Sequence, residues 1–512
     1  MYYCRAFGKN KAMKKAYKNS CLWLGVISGL ICGAAQVFYK FSLLMPLLLI
    51  PFFLGVIKSK SFKTYLFSVG SFLFFYYFVQ FSFLLTVSRL IPFPKPFCHL
   101  AALLAVVLLT VSEGVTVLFA VFPAYFFKGG ISRGVSAAFL FVLGEHLQEK
   151  TPFFAFPWSR LENAFAYCPS LIQTASLFGG SFTALIILLT SALLSAAISS
   201  RKNAGRAYFA TVTSALVFLS NAALGQVILR LRHTDGKPVS CTIVQGSVKG
   251  EEKYGLSPEA AAESYMRLIS ENFRQGTELI LLPETAVPDY LESSPVFGGF
   301  KSLSKKTGAV IVTGCFTRKD GKAHNSLAAF EPDGEVSESF DKSFLVPFGE
   351  YAPFFKDYFG FNELYPSDSS VPLEISLGTL GAAICAESVF SDVVSTQVRQ
   401  GCDLILVSTN DSWFFETCGR EVHFRHSIMR AVESGKYLLR SGNCGISAFI
   451  TPSGEILSAE LGQGESVLHK TVYLCPKPSL YAKLGDIIIL PSLFVFGFGI
   501  SKMIKSRKTD IK

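Results

Sequence analysis

The chain has 512 residues, of which 50% are hydrophobic and only 17% are charged. This composition excludes an ordinary soluble single-domain protein and indicates a membrane component. A formal charge of +11 is compatible with nucleic-acid binding, but the Lys and Arg residues lie in short clusters between apolar runs and at both ends. Because that distribution is typical of membrane topology, we expect no nucleic-acid partner.

The acidic residues divide the chain into two parts. Before Asp235 there is no Asp, and the only Glu residues are Glu113, Glu145, Glu149 and Glu162. After that point acidic residues are frequent, as in a soluble domain. We therefore expect a basic N-terminal segment at 1–20, a transmembrane domain at 21–232 and an extramembrane domain at 233–480.

Long apolar segments predict the transmembrane helices, since a helix needs roughly 20 residues to cross about 30 Å of hydrocarbon. Seven predicted spans cover about 21–38, 41–57, 64–87, 98–126, 131–148, 171–199 and 207–229. An eighth lies at 481–503, before a basic tail at 504–512. Glu145 falls near the end of the fifth span, where we expect its side chain to reach the membrane interface.

The loops between the spans predict the orientation. With the N-terminus in the cytoplasm, the inside segments carry 19 Lys and Arg residues and the outside loops carry five. This bias follows the positive-inside rule. Seven spans then place the extramembrane domain on the outer side, which is the periplasm in a cell with two membranes, and both termini inside.

From Val239 onward, short apolar runs alternate with helix-like stretches, which predicts an α/β domain with mixed sheets. Three chemically capable residues follow predicted strands: Glu284 in ELILLPETAVPDY, Lys342 in SFDKSFLVPFGEYAPF and Cys385 in LGAAICAESVFSD. Alone, such a Cys is ordinarily a core residue, and such a Glu or Lys is ordinarily solvated. Together, at strand ends where functional side chains gather, they favour a thiol-based site.

Other candidates are less specific. Trp413, in NDSWF, borders the predicted site and serves either substrate binding or packing. His423 and His426 lie three residues apart on a predicted helix, but no Cys, Asp or second pair completes a metal site, so we expect structural roles and no metal. A catalytic thiol on the oxidising side of a membrane risks disulfide capture, so we expect Cys385 to be unpaired and shielded.

The ordered motifs PET with Glu284, DKSFLVPFGEYAP with Lys342 and Glu350, ICAES with Cys385, and STNDSWF with Trp413 resemble the nitrilase, or carbon-nitrogen hydrolase, superfamily. FPWSRLENAFAY around Trp158 resembles its membrane branch, the apolipoprotein N-acyltransferases. The resemblance covers nearly the whole chain. It implies a polytopic helical membrane domain of about eight spans plus an α-β-β-α sandwich.

The resemblance also implies a mechanism. Glu284 would act as general base and acid, and Cys385 would attack an ester to form a thioester. Lys342 and the backbone N–H of Ala386 would stabilise the oxyanion. In supporting roles, Glu350 would orient Lys342, and Glu387 is retained from the family pattern. Ala386 departs from that pattern, which commonly has an aromatic residue after the nucleophile, so acyl-chain or head-group preference is in doubt.

The partners implied are a membrane phospholipid as acyl donor and a diacylated apolipoprotein as acceptor, in the bacterial inner membrane, with no cofactor. The oligomeric state is left open, with a monomer favoured. Trp158, Trp413, Phe354 and Phe355 would contact substrate. The aromatic run 350–366 is either a hydrophobic mini-core or a lid that dips into the outer leaflet.

Two alternative functions are compatible with a nitrilase-like domain on a membrane protein. A membrane-anchored amidase of the nitrilase type would hydrolyse a small C–N substrate, but it would need only one anchor. A transporter or scaffold with a degenerate nitrilase-like sensor is the other, and the intact set of Glu284, Lys342 and Cys385 argues against degeneracy.

Overall fold

The computed structural model describes residues 2–89, 95–151, 155–232, 236–248, 255–347, 349–351, 364–368, 370–414, 417–461 and 464–510. Phe354 and Phe355, predicted to contact substrate, lie outside the described residues. The chain divides into two compact units. The membrane unit comprises Met1–Ile228 and Asp486–Lys512, and the sandwich unit comprises Leu229–Gly485.

The helices of the two units follow in chain order. They are α1 (Tyr2–Val37), α2 (Met45–Leu48), α3 (Ile50–Lys58), α4 (Phe62–Phe81), α5 (Lys95–Val121), α6 (Gly130–Gln148), α7 (Pro169–Ile172), α8 (Ala175–Phe178), α9 (Gly180–Ser199), α10 (Ala204–Leu231), α11 (Pro258–Asn272), α12 (Phe297–Thr307), α13 (Ser391–Arg399), α14 (Gly419–Ser434), α15 (Leu480–Leu484) and α16 (Ile489–Asp510).

Seven helical segments among the described residues are long and apolar enough to cross a membrane. They are Ser20–Val37, Tyr39–Lys58, Phe62–Thr86, Lys95–Phe126, Gly180–Ser199, Ala204–Leu231 and Ile489–Lys508. The expected fifth span is helical, as the 19-residue α6, but it is not among the seven because Arg133, Glu145 and His146 lower its hydropathy. The count of eight spans therefore stays a prediction.

Three details of the membrane unit differ from the sequence expectations. The segment expected as the sixth span is broken into α7, α8 and α9, with Gly179 at φ 84° before α9. The last span begins at Ile489 rather than at 481, because α15 belongs to the sandwich unit and Gly485, at φ 73°, ends it. Glu145 is buried within the protein rather than solvated: it is 1% exposed and accepts a hydrogen bond from the N–H of Leu161.

The sandwich unit contains two sheets of six strands each among the described residues. Its strands are β1 (Lys237–Gln245), β2 (Leu279–Leu281), β3 (Val310–Lys319), β4 (Lys322–Phe330), β5 (Phe340–Asp341), β6 (Leu373–Ile375), β7 (Gly378–Ile384), β8 (Leu404–Thr409), β9 (Leu438–Gly442), β10 (Ser447–Ile450), β11 (Ile456–Glu460) and β12 (Ser466–Leu474). The strand orders are β12-β1-β2-β3-β4-β5 and β11-β10-β9-β8-β7-β6.

Alternation along the strands builds the layers, since successive side chains point to opposite faces. In β2, Leu279 and Leu281 join a buried core shared with Leu380 and Leu406 of the other sheet. Ile280 points the other way and packs with residues of α11 and α12. Helices α13 and α14 pack against the second sheet. The α-β-β-α sandwich implied by the family resemblance is therefore confirmed.

The parallel strands set the position of the functional residues. β1, β2 and β3 run parallel in one sheet, and β7, β8 and β9 run parallel in the other. Two buried hydroxyls join the sheets near the carboxyl ends: Ser408 donates to the carbonyl of Leu282 at 2.6 Å, and Ser441 donates to that of Val244 at 2.9 Å. The loops that follow these strands are thereby brought together.

Candidate active site

Glu284 lies in the loop after β2 and is 7% exposed. One oxygen, Oε1, accepts hydrogen bonds from Asn325 Nδ2 at 2.9 Å and from Lys342 Nζ at 3.2 Å. The other, Oε2, accepts from the backbone N–H of Asn410 at 2.9 Å. The next residue, Thr285, has φ 44°, a conformation that is uncommon for residues other than glycine. The loop backbone is thus strained at Thr285, and three hydrogen bonds fix the carboxylate of Glu284.

Lys342 follows β5 and is completely buried. Its ammonium contacts Glu284 and also Glu350, whose carboxylate oxygens lie 2.9 Å from Nζ. Burial opposes the charge, but these two carboxylates outweigh it and raise the pKa of Lys342 above its ordinary value. Glu350 is itself anchored by the backbone N–H of Val346 at 2.8 Å. The site therefore holds a permanent buried cation between two anions.

Cys385 follows β7 and begins a short 3₁₀ turn, Cys385–Val389. Its backbone has φ 52°. Burial raises the pKa of the thiol above its ordinary value, Glu284 raises it further, and Lys342 opposes them. The thiol is therefore protonated at neutral pH, and its attack on a carbonyl requires a base close by.

Glu387 ties the nucleophile turn to the segment after Lys342. Its Oε1 accepts hydrogen bonds from the backbone N–H and the hydroxyl of Ser343, both at 2.7 Å, and from the N–H of Phe344 at 3.2 Å. Its Oε2 accepts from the N–H of Ile384 at 2.8 Å. These hydrogen bonds set the distance between the segment of Cys385 and the segment of Lys342. Burial raises the pKa of Glu387 above its ordinary value.

A second buried cluster, formed by Asp411, His423 and Arg440, contacts the backbone of Cys385 through His423. Asp411 faces His423 Nδ1 at 2.7 Å and accepts from Arg440 Nη2 at 2.8 Å and from Thr409 at 3.0 Å. Burial would raise the pKa of Asp411, but His423 and Arg440 outweigh it and hold that pKa well below its ordinary value. Burial and then Arg440 lower the pKa of His423.

Sequence reasoning named His423 but missed its partners Asp411 and Arg440, and it also missed Asn325. Asn325 Nδ2 donates to both Glu284 and Glu350 at 2.9 Å and so links the two carboxylates. The signals in the sequence are weak. Asn325 lies in the largely apolar run HNSLAAF, and Arg440 lies in LLRSGN, where a charge beside apolar residues points to a buried partner.

The sequence alone indicated no Cys or Asp that would complete a metal site with His423, but the structure places one of each beside it. Ligand atoms of Cys385, Asp411 and His423 lie within 4.8 Å of one another. The donors are engaged, however, since Asp411 is paired with Arg440 and His423 Nε2 lies 3.0 Å from the Cys385 carbonyl. The set therefore suits a hydrogen-bond network better than a metal ion, which needs free lone pairs.

Other predicted site residues have different outcomes. Cys385 is a free, half-buried cysteine in the structure, and the shielding of its thiol stays a prediction. Ala386 is 8% exposed, within the nucleophile turn. Trp413 lies in the 3₁₀ turn Asp411–Phe414, and its substrate role stays a prediction. Trp158 lies in the membrane unit, 4% exposed and stacked on Phe156 at 5.2 Å, and its substrate role also stays a prediction.

Similarity to known proteins covers both units. The sequence profile of the carbon-nitrogen hydrolase family matches residues 242–474, and that of the apolipoprotein N-acyltransferase N-terminal domain matches residues 28–193. Saccharomyces cerevisiae Nit3, a member of branch 10 of the nitrilase superfamily, aligns with 47% of this chain and 92% of its own, at 18% identity and a TM-score of 0.38.

Two relatives are similar over most of the chain. The apolipoprotein N-acyltransferase of Geobacter metallireducens is 30% identical over 385 residues, which are 71% of this chain and 74% of that protein. That of Gloeobacter violaceus is 29% identical over 346 residues, and the match spans 65% of this chain and 65% of that protein. On these matches, which join the helical N-terminal part and the sandwich, the chain belongs to the apolipoprotein N-acyltransferase family.

Proposed function

We propose that this protein transfers a fatty acyl chain from a membrane phospholipid to the α-amino group of a diacylated apolipoprotein. The observation that carries the proposal is the convergence of Cys385 with the buried Glu284 and Lys342 in a chain with seven described membrane-length helices. A thiol nucleophile with a neighbouring base is suited to attack on an acyl ester. The membrane-length helices are suited to a lipid donor and a lipid-modified acceptor.

In the first half-reaction the Cys385 sulfur attacks the phospholipid ester carbonyl while Glu284 accepts the thiol proton. A C–S bond forms, and Lys342 together with the Ala386 N–H stabilises the oxyanion. The ester C–O bond then breaks, and Glu284 returns the proton to the leaving oxygen. The products are a lysophospholipid and a Cys385 thioester.

In the second half-reaction the α-amine of the lipoprotein attacks the thioester carbon. Glu284 accepts a proton from the amine as the C–N bond forms. The C–S bond then breaks, and Glu284 passes that proton to the departing sulfur, which restores the thiol. Because an amide is more stable than a thioester, this step draws the cycle forward. Glu350 and Asn325 keep Lys342 and Glu284 aligned through both steps.

We further propose that the sandwich unit faces the periplasm and that the membrane is the bacterial inner membrane. The distribution of Lys and Arg between the loops supports this orientation. Trp413, Trp158 and the segment that contains Phe354 and Phe355 would contact the lipid chains. Hydrolysis of a small C–N substrate is not favoured, since it gives no role to the N-terminal domain matched at residues 28–193.

The test compares wild-type protein with Cys385→Ser in detergent or vesicles. Wild-type protein should form a thioester whose added mass equals a fatty acyl group from phosphatidylethanolamine, and should convert a diacylated lipopeptide to the triacylated form. Cys385→Ser should lose at least about 1,000-fold of this activity, because the hydroxyl is a poorer nucleophile with the same base. Unchanged triacylation by the variant, or an adduct without a fatty acyl mass, would overturn the proposal.

A further inference from the structure

The backbone of Cys385 is held in an unfavourable conformation by contacts to its carbonyl group. At φ 52° a residue other than glycine is strained by roughly 1–2 kcal/mol, and such strain persists only where the surroundings impose it. The Ser388 hydroxyl donates to the Cys385 carbonyl oxygen at 2.8 Å. His423 Nε2 lies 3.0 Å from the same oxygen.

The orientation of this carbonyl determines the orientation of a neighbouring donor. A trans peptide group points its C=O and its N–H in opposite directions, and the described chain has no cis peptide bond. Anchoring the carbonyl of Cys385 therefore fixes the direction of the N–H of Ala386. Hydrogen bonds to the carbonyl also polarise the peptide group, which strengthens the N–H as a donor.

His423 is itself rigidly placed. Its Nδ1 faces Asp411, which Arg440 holds at 2.8 Å, and all three side chains have no exposed surface. Its Nε2 is also 2.9 Å from the Ser388 oxygen. Because a carbonyl oxygen only accepts hydrogen bonds, the Nε2 that bonds to it carries the single proton of the neutral ring, and Nδ1 accepts a hydrogen bond from Arg440 Nη2 at 3.0 Å. The network thus runs from Arg440 to the peptide group that follows the nucleophile.

We propose that His423, fixed by Asp411 and Arg440, is a positioning residue that aims the Ala386 N–H at the oxyanion by holding the Cys385 carbonyl. This inference rests on the proposed acyl transfer. The oxyanion forms at the acyl carbon in both half-reactions. Misalignment of its donor therefore slows thioester formation and amide formation by similar factors and leaves phospholipid binding unchanged.

A pair of substitutions separates the two ring nitrogens. In His423→Gln the amide nitrogen reaches approximately the position of Nε2, whereas in His423→Asn it reaches only that of Nδ1. We expect His423→Asn to slow both half-reactions by about 10-fold to 100-fold, less than the roughly 100-fold to 1,000-fold loss of a whole oxyanion donor. His423→Gln should recover most of that loss.

The measurement uses full-length enzyme in single-turnover assays. Thioester formation is followed with phosphatidylethanolamine that carries a fluorescent acyl chain, and its transfer is followed with a diacylated lipopeptide. KM for the phospholipid and the melting temperature are measured alongside. His426→Gln is the matched control, since His426 is fully buried on the same helix; it should leave both rates unchanged.

Three results would overturn the inference: wild-type rates in His423→Asn, equal losses in the Asn and Gln variants that track their melting temperatures, or a loss confined to thioester formation. Failure of the wild-type enzyme to form a thioester would instead overturn the proposed function. The two failures are therefore distinguishable.

Discussion

Lys342 is a fully buried cation held by two carboxylates. Its ammonium has no exposed surface and lies within 3.2 Å of carboxylate oxygens from Glu284 and Glu350. A buried ion pair of this kind contributes little to stability unless its geometry is complete. Its value here is electrostatic: the cation is in place before negative charge develops on a substrate, and the carboxylates keep it protonated.

The opposite effects of these charges on Cys385 give a test at the residue scale. Glu284 raises the pKa of the thiol and Lys342 lowers it. Glu284→Gln should therefore lower that pKa and speed alkylation of Cys385 by iodoacetamide at neutral pH. Lys342→Met should raise it and slow alkylation. Both variants should lose about 100-fold or more in acyl transfer.

Mass spectrometry of the Cys385 peptide between pH 6 and about 9 measures these rates, with half-buried Cys418 as the internal reference. In the wild-type protein the rate should keep rising with pH across this range, because the raised pKa of Cys385 leaves little thiolate at neutral pH. A plateau near pH 7, or shifts of both variants in the same direction, would contradict the electrostatic account.

At the scale of elements, close approach of backbones positions the site. Gly314 of β3 lies against the loop that carries Glu284, and a Cβ atom there would be 2.3 Å from the N of Thr285 and 2.5 Å from the O of Pro283. Backbone atoms cannot move aside as a flexible side chain does. The glycine is therefore required by the loop that it supports.

Gly314→Ala should displace this loop, cost about 1–3 kcal/mol in the free energy of unfolding and reduce acyl transfer by at least about tenfold, because small displacements of catalytic groups are costly. Thermal unfolding and turnover are the measurements. Gly298→Ala is the matched control, since a Cβ there meets nothing within 4 Å. Equal behaviour of the two variants would contradict the explanation.

Helices α1 and α4 of the membrane unit also approach each other closely at glycines. Gly25, Gly29 and Gly33 recur every four residues along α1, and a Cβ on Gly29 would be 2.6 Å from the carbonyl oxygen of Phe72 on α4. Small residues at this spacing allow close helix packing in a membrane, where the hydrophobic effect provides little attraction between helices.

Gly29→Leu should separate α1 from α4 and lower the melting temperature in detergent by several degrees or more, with a reduced yield of folded protein. Gly70→Leu, on α4 and with open space around its Cβ position, should have little effect. Fluorescence-detected size-exclusion chromatography after heating measures both. A normal melting temperature for Gly29→Leu would argue against this contact.

At the scale of the whole molecule, the orientation depends on α6. If α6 crosses the membrane, seven spans precede the sandwich unit and the unit faces the periplasm. If it does not, the unit and the N-terminus share one side. Its length of 19 residues corresponds to about 28 Å of helix, which is close to the hydrocarbon thickness. The polar residues near its ends are compatible with a crossing.

Cysteine labelling in intact cells tests this topology. A membrane-impermeant maleimide should label Lys301→Cys, on the exposed face of α12, once the outer membrane is permeabilised. Lys202→Cys, in the loop between α9 and α10, should be labelled only after lysis. Both positions are exposed, and the wild-type protein gives the background from native cysteines. Labelling of Lys202→Cys instead of Lys301→Cys before lysis, the result expected if α6 does not cross, would contradict the predicted orientation.

Much of the molecule was predictable from the sequence by itself. The absence of Asp before residue 235 separates a membrane half from an extramembrane half, because ionised carboxylates are costly in hydrocarbon. The motifs around Glu284, Lys342 and Cys385 each follow a strand, and parallel strands present their carboxyl ends together. The sandwich and the family therefore followed from local patterns.

Only the tertiary structure decided which buried polar groups pair. Asn325, Asp411, His423 and Arg440 come from separate segments, and a single sequence does not distinguish a buried, paired charge from a solvated one. Their burial is tolerated because each meets a partner brought from a distant strand or helix. For the same reason Glu145, expected at the interface, is buried instead: the chain after α6 returns and hydrogen-bonds to it.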